Sequence, residues 1–412
     1  MSALQKSILK SKLPPRCPKT SGIPKLAPFG ATRRKDYTPV SWKQYFDRFV
    51  DVETECGVFR VYLSPEPDHP EQLRIVTLHG GGYSGLSWAL FTEEITNMIK
   101  CQVVSMDIRG HGETKAKEPD DLSAETLARD VEQVLHKLFD GAIPPMILVG
   151  HSMGGAIAVR VAHSPSLEHH VDGLAVIDVV EGTAMDALAS MQSFLRGRPT
   201  HFKSIEHAIE WCVRSGQVRN VDSAKVSMPG QIVNCETGLL ATNEVESYTP
   251  AAESKLEPNR HTARADSIAE EEHEAEADGE GEAEGEATRD EFVRPGAVGD
   301  GNTAMKYKWR IDLSQTEAHW AGWFSGLSSA FLSARAPRLL LLASVDGLDR
   351  LLTVGQMQGK FQMQVLTRCG HAVHEDSPAE VSRVVAAFAL RHRLTTATEL
   401  GTHLNLVAAP GC

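Results

Sequence analysis

A serine between two glycines at the end of an apolar run is a place where a hydroxyl can become a nucleophile. The stretch Met146-Ile-Leu-Val-Gly150-His151-Ser152-Met153-Gly154-Gly155 has this form, and helical sequence at Ala156–Ala162 follows it. In the order strand, Gly-x-Ser-x-Gly, helix, the serine sits in a strained turn, and both glycines let neighbouring backbone approach without a Cβ clash. The helix start offers unpaired N–H groups where an oxyanion develops, which makes the backbone of Met153 a candidate donor. A second element, Ile75-Val-Thr-Leu-His79-Gly80-Gly81-Gly82, ends a strand about 70 residues earlier. A glycine loop so placed supplies the other oxyanion N–H in esterases and lipases, with Gly81 and Gly82 as candidates. The third element, Met106-Asp107-Ile-Arg109-Gly-His111-Gly112, closes the next strand. Its Asp107 and Arg109 are expected to order the loop by hydrogen bonds, with no part in the chemistry.

Acyl transfer by Ser152 needs a base within hydrogen-bond reach, and in this chain order the base comes last. Among 17 histidines the best placed is His371, which follows the run Phe361–Leu366 and Cys369-Gly370 and precedes the final helix. His374 is expected to face elsewhere, capping or meeting solvent, and His79 and His151 to serve as structural hydrogen-bonders. Two carboxylates could orient the imidazole. Asp346 comes just after the penultimate strand, and Asp178 ends the strand that follows the nucleophile's own. Position alone slightly favours Asp346. This chemistry requires no metal and no organic cofactor.

The elements that must carry these residues alternate. Short apolar runs at Arg74–Leu78, Val103–Met106, Met146–Val149, Leu174–Ile177, Leu339–Leu342 and Phe361–Leu366 are separated by helical stretches such as Leu122–Phe139, Gly154–His163 and Ala379–Leu390. Continuous apolar strands between helices predict an α/β architecture, a mostly parallel sheet with both faces covered. Before them, Trp42–Leu63 suits two antiparallel strands. The alternation stops for about 160 residues between Ile177 and Leu339. This insertion, about 180–335, is expected to form a cap over the sheet's C-terminal edge. Helical spacing over Thr183–Val213 and aromatic residues over Tyr307–Leu332 flank a disordered acidic loop at about 236–303. The predicted division is a basic tail at 1–35 and a single domain at 36–412.

Charge narrows the class. The chain has 412 residues and a net charge of −12, and Asp266–Glu291 alone holds 13 acidic residues against Arg289. The rest therefore balances, which argues against a general nucleic-acid binder. The acidic segment itself suits a solvated spacer. Seven scattered cysteines form no CxxC pair or Cys/His metal spacing. No signal peptide, 18-residue apolar run or Asn-x-Ser/Thr site is found, so no membrane partner and an intracellular location, cytoplasmic or nuclear, are expected.

Longer stretches carry a resemblance. Ile177–Leu188, Phe194–Pro199, Tyr307–Arg310, Trp323-Phe324, Gly355–Gln364, Cys369–Asp376 and Pro410–Cys412 resemble the protein phosphatase methylesterase family. The resemblance implies an α/β-hydrolase that removes the methyl ester from the C-terminal leucine carboxyl of the type 2A protein phosphatase catalytic subunit. That subunit, with its scaffold subunit, would be the partner and would help arrange the active site. Ser152 matches the family's nucleophile, His371 its base and Asp178 its acid, against the positional preference for Asp346. Two other functions share these residues: a general carboxylesterase or lipase on small esters, and a non-catalytic protein that sequesters phosphatase.

Overall fold

The computed structural model describes residues 35–247, 305–344 and 348–403. Contacts divide the chain into residues 1–36 and 37–412, and every element below belongs to the second. Nearly all of the expected tail, the acidic segment Asp266–Glu291, Asp346 and Pro410–Cys412 lie outside the described residues.

Twelve strands are found among the described residues. They are β1 (Arg48–Thr54), β2 (Gly57–Leu63), β3 (Arg74–Leu78), β4 (Gln102–Met106), β5 (Lys115–Ala116), β6 (Met146–His151), β7 (Val171–Ile177), β8 (His201–Phe202), β9 (Ile232–Asn234), β10 (Tyr307–Trp309), β11 (Arg338–Leu342) and β12 (Gln362–Val365). The main sheet runs β1-β2-β4-β3-β6-β7-β11-β12, with β5 beside β2. From β4 to β12 the pairing is parallel, and β1 and β2 form the antiparallel pair expected from Trp42–Leu63.

Side chains alternate across a strand, and here both faces are apolar. Leu148, Leu174, Val176, Leu340 and Leu342 face one layer, with the helices Ala124–Leu138 and Met153–Val161. Ile147, Val149, Ala175, Ile177, Leu339 and Leu341 face the other, with Trp88, Phe91 and Phe388. Burial on both sides is why these strands read as unbroken apolar runs. Trp320, Trp323, Phe324 and Phe331, expected in the cap, pack into the first of these layers.

The insertion after β7 has its own small core of Phe202, Trp211, Met228 and Tyr307. It also has a three-stranded sheet, β8-β10-β9, too short to show a period in sequence. Helix Ile205–Arg214 starts where Ser204 Oγ accepts the His207 N–H. The expected disordered loop begins too early. Ala241–Ser247 is a helix, because Glu244 accepts hydrogen bonds from Asn234, Lys306 and Tyr307 at 2.6, 2.9 and 2.6 Å. Averaged composition over that stretch hid three specific contacts. No helix among the described residues is long and apolar enough to cross a membrane.

Candidate active site

Ser152 follows β6 at φ 52°, ψ −120°, a conformation that L-residues seldom adopt. Packing enforces it. A Cβ on Gly150 would lie 2.2 Å from Gly154 O, and one on Gly154 would lie 2.3 Å from Leu78 O. Ser152 N–H donates to Ile177 O at 3.0 Å, which ties the turn to the end of β7. There Asp178, also in the left-handed region at φ 51°, follows directly. Its N–H donates to Leu341 O at 2.8 Å, so three neighbouring parallel strands fix these two residues.

His371 Nδ1 lies 2.8 Å from Asp178 Oδ2. A carboxylate can only accept, so Nδ1 carries the proton in this contact, and in the neutral ring Nε2 keeps the lone pair. Asp178 Oδ1 accepts the Ala343 N–H at 2.9 Å. Burial raises the Asp178 carboxyl, but the hydrogen bonds from His371 Nδ1–H and Ala343 N–H outweigh it and hold the group below the usual range. Asp178 thus stays ionised beside the ring. Of the two candidate acids, it is the one found at His371; Asp346 lies outside the described residues.

The His371 loop is pinned on both sides. Gly370 N–H donates to Asp376 Oδ2 at 2.6 Å, and the His371 carbonyl accepts from His151 Nε2 at 2.8 Å. Sequence reasoning missed Asp376, whose only signal was an acid at the mouth of the last helix. His374, expected to cap or meet solvent, is instead fully buried. It stacks between Trp88 and His151 at centroid distances of 4.1 and 4.5 Å, and among the described residues neither ring nitrogen has a partner. Burial pushes it down to about 3.

The glycine loop requires a correction. Gly82 N–H, one of the expected oxyanion donors, donates to His111 Nε2 at 2.8 Å. His111 Nδ1 in turn donates to Arg109 O at 2.8 Å, and burial holds this ring neutral, down to about 4. Among the described residues no hydrogen bond engages the N–H of Gly81 or Met153. Asp107 accepts from Gly85 and Glu113 N–H at 2.7 and 2.9 Å, and Arg109 pairs with buried Asp130 at 2.6 Å. Both therefore order the loop.

Ser152 and His371 line two adjoining cavities of about 320 and 650 Å³. The first runs past Gly81, Gly82 and Tyr83 to Leu313, Trp320 and Trp323; the second runs along Asp178, Val179 and the helix Glu181–Arg196. Among the described residues no hydrogen bond joins Ser152 Oγ to His371 Nε2. An apolar cavity with a strained serine, an oriented imidazole and two unengaged N–H groups has the parts for acyl transfer.

Comparison with known proteins bears on this arrangement. The alpha/beta hydrolase family matches residues 75–384. A Homo sapiens protein named protein phosphatase methylesterase 1 is 51% identical over 401 residues, covering 95% of this chain and 96% of its own length. The chain belongs to the protein phosphatase methylesterase family of alpha/beta hydrolases. A Bos taurus relative of the same name is 50% identical over 401 residues, covering 95% of this chain and 98% of that protein. Among solved structures, an E-2-(acetamidomethylene)succinate hydrolase superposes with a TM-score of 0.54 at 15% identity, covering 83% of this chain and 99% of that one. At that identity it bears on the methylesterase's fold alone.

Proposed function

We propose that the chain hydrolyses the methyl ester on the C-terminal leucine carboxyl of a type 2A protein phosphatase catalytic subunit, presented with its scaffold subunit. The observation that carries this reading is membership of the methylesterase family together with the Ser152, His371 and Asp178 constellation. His371 Nε2 takes the proton of Ser152 as Oγ attacks the ester carbonyl, and Asp178 holds the imidazole tautomer and stabilises the imidazolium. The N–H groups of Gly81 and Met153 receive the oxyanion. Methanol leaves with the proton from His371, and water, deprotonated by the same ring, releases the carboxylate. No step calls for a metal or organic cofactor.

Residues 36–412 act as one domain in this reading, with the cap at about 180–335 shaping access. A protein substrate is supported by exposed apolar side chains on the cap helix, where Phe194 lines both cavities. Met185 and Phe194 on that helix are 39% and 61% exposed. Apolar side chains exposed at the rim of a cavity suit a surface that another polypeptide covers. Catalytic hydrogen bonds are often loose before the substrate is bound, so the missing Ser152–His371 bond supports a site that tightens when phosphatase docks.

The test is methanol release from methylated phosphatase by wild type and by Ser152→Ala. The variant should lose several orders of magnitude in rate, because members of such a triad act as a unit. A folded Ser152→Ala protein that kept more than a few per cent of the rate would overturn the assignment. A Ser152→Ala protein that still binds phosphatase tightly would fit either a methylesterase or a sequestering protein, so release of methanol is the deciding readout.

A further inference from the structure

Arg198 lies on the wall of the cavity that holds Ser152 and His371, and the chemistry above leaves it without a task. It sits just beyond the cap helix Glu181–Arg196. Its guanidinium lies over the Trp309 ring, 3.6 Å from the centroid, and Trp309 Nε1 donates to Pro199 O at 2.7 Å. The cap's own aromatic layer thus fixes the plane of the guanidinium.

A guanidinium has five N–H donors. One, on Nη2, reaches Gln217 Oε1 at 3.4 Å, and Gln217 is itself oriented by Gln231 at 3.1 Å. Nε is buried, with no acceptor among the described residues. Among the described residues no carboxylate forms an ion pair with Arg198. Asp312, the carboxylate that acts on it from a distance, is engaged by Ser314 and Gln315. Burial pushes the group down to about 10, as expected for a desolvated cation without a counter-ion. Much of the remaining wall is apolar, including Phe194, Leu313 and Trp320. Such a cavity selects a ligand that is mostly apolar and carries one anionic group suited to a planar fork.

We propose that Arg198 is a specificity-determining residue that binds a carboxylate of the polypeptide whose C-terminal ester is presented to Ser152. The inference rests on the methylesterase reading above. The carboxylate has two possible sources. It is either an acidic side chain near the substrate's C-terminus, present throughout, or the C-terminal carboxylate that hydrolysis creates. In the first case Arg198 captures substrate; in the second it holds product and slows its release.

Wild type, Arg198→Gln and Arg198→Lys would be compared in three assays. These are kcat/KM for methanol release from methylated phosphatase, inhibition by demethylated phosphatase, and turnover of p-nitrophenyl acetate. Capture of an acidic side chain predicts that Arg198→Gln loses roughly tenfold in kcat/KM on the methylated protein, chiefly through KM, and less on the neutral ester. Product holding predicts roughly tenfold weaker inhibition by the demethylated protein, with a smaller change in kcat/KM. Arg198→Lys should fall between, since it keeps the charge and loses the fork. Equal losses in all three assays would mean that Arg198 only supports Trp309 and would overturn the proposal, as would losses below about twofold. A wild-type protein that releases no methanol would overturn the methylesterase reading instead.

Discussion

The floor and the roof of the cavity are held by different means. Beneath Ser152 there is no room for a methyl group on Gly150 or Gly154, and the nearest obstacles are backbone atoms that cannot swing aside. Above it, the cap helix Glu181–Arg196 has 16 residues and none of them is buried. Floor geometry is therefore imposed by main-chain packing, which any side-chain replacement must respect. The roof can change its surface at little cost to the fold, which suits the part that meets a partner.

The largest effect should come from the floor's chemistry. Asp178→Asn is expected to lower kcat by about 10⁴-fold, roughly 5 kcal/mol of barrier. The fold should survive, because Asn tolerates the left-handed backbone at φ 51° as Asp does. Asp346→Asn should be mild. The reverse ranking in methanol-release assays would return the acid's role to Asp346. Next comes the floor's packing. Gly154→Ala should cost about 3 kcal/mol or more in thermal unfolding, since its Cβ would press on Leu78 O. A melting temperature near that of wild type would show that the floor relaxes more readily than its geometry suggests.

A smaller effect concerns the buried ring under the site. His374 has an ordinary value of 6.5 and is held near 3 in the fold. Above about pH 6.5 both states are neutral; below it the unfolded chain takes up a proton that the folded chain refuses, and stability falls. His374→Phe should remove this contribution, making the loss of stability between about pH 7 and pH 5 smaller by roughly 2 kcal/mol. Urea unfolding at both pH values measures it. Equal losses in both proteins would mean that His374 accepts a proton inside the fold. The smallest effect on stability belongs to the roof. Phe194→Asp should leave unfolding within about 0.5 kcal/mol of wild type, yet raise KM for methylated phosphatase several-fold. An unchanged KM would show that the exposed ring makes no contact with the partner.

Much of the sheet could be read directly. Arg74–Leu78 matches its strand residue for residue, and the other parallel strands differ by one to three residues at their ends. Burial on both faces writes itself into sequence as uninterrupted apolar runs. The serine turn and the late histidine were legible for the same reason, since each is attached to the end of such a run. The acid was not settled by position, because two strand ends offer a carboxylate; the family resemblance pointed to Asp178, and Asp178 is the carboxylate found at His371. Gly82 and His374 were misread because their roles depend on contacts from distant parts of the chain. The N–H of Gly82 is claimed by His111, 29 residues away, and His374 is enclosed by Trp88 and His151. Arg198 lay in Phe194–Pro199, one of the stretches that carry the family resemblance, but nothing in the sequence distinguished it from its neighbour Arg196.

The chain leaves the sheet after β7 and returns on the strand beside it, with Leu341 next to Ile177. Ser152 and Asp178 precede this excursion, and His371 comes after it. A break anywhere between Ser247 and Met305 would therefore part Ser152 and Asp178 from His371, dividing the proposed catalytic set between two polypeptides. These could reunite by zipping β11 onto β7 and β10 between β8 and β9, with the helices Glu317–Phe324 and Pro378–Arg391 closing on the first half. Ester hydrolysis by the separated halves would then depend on their concentration, and the same chemistry would report an encounter between molecules.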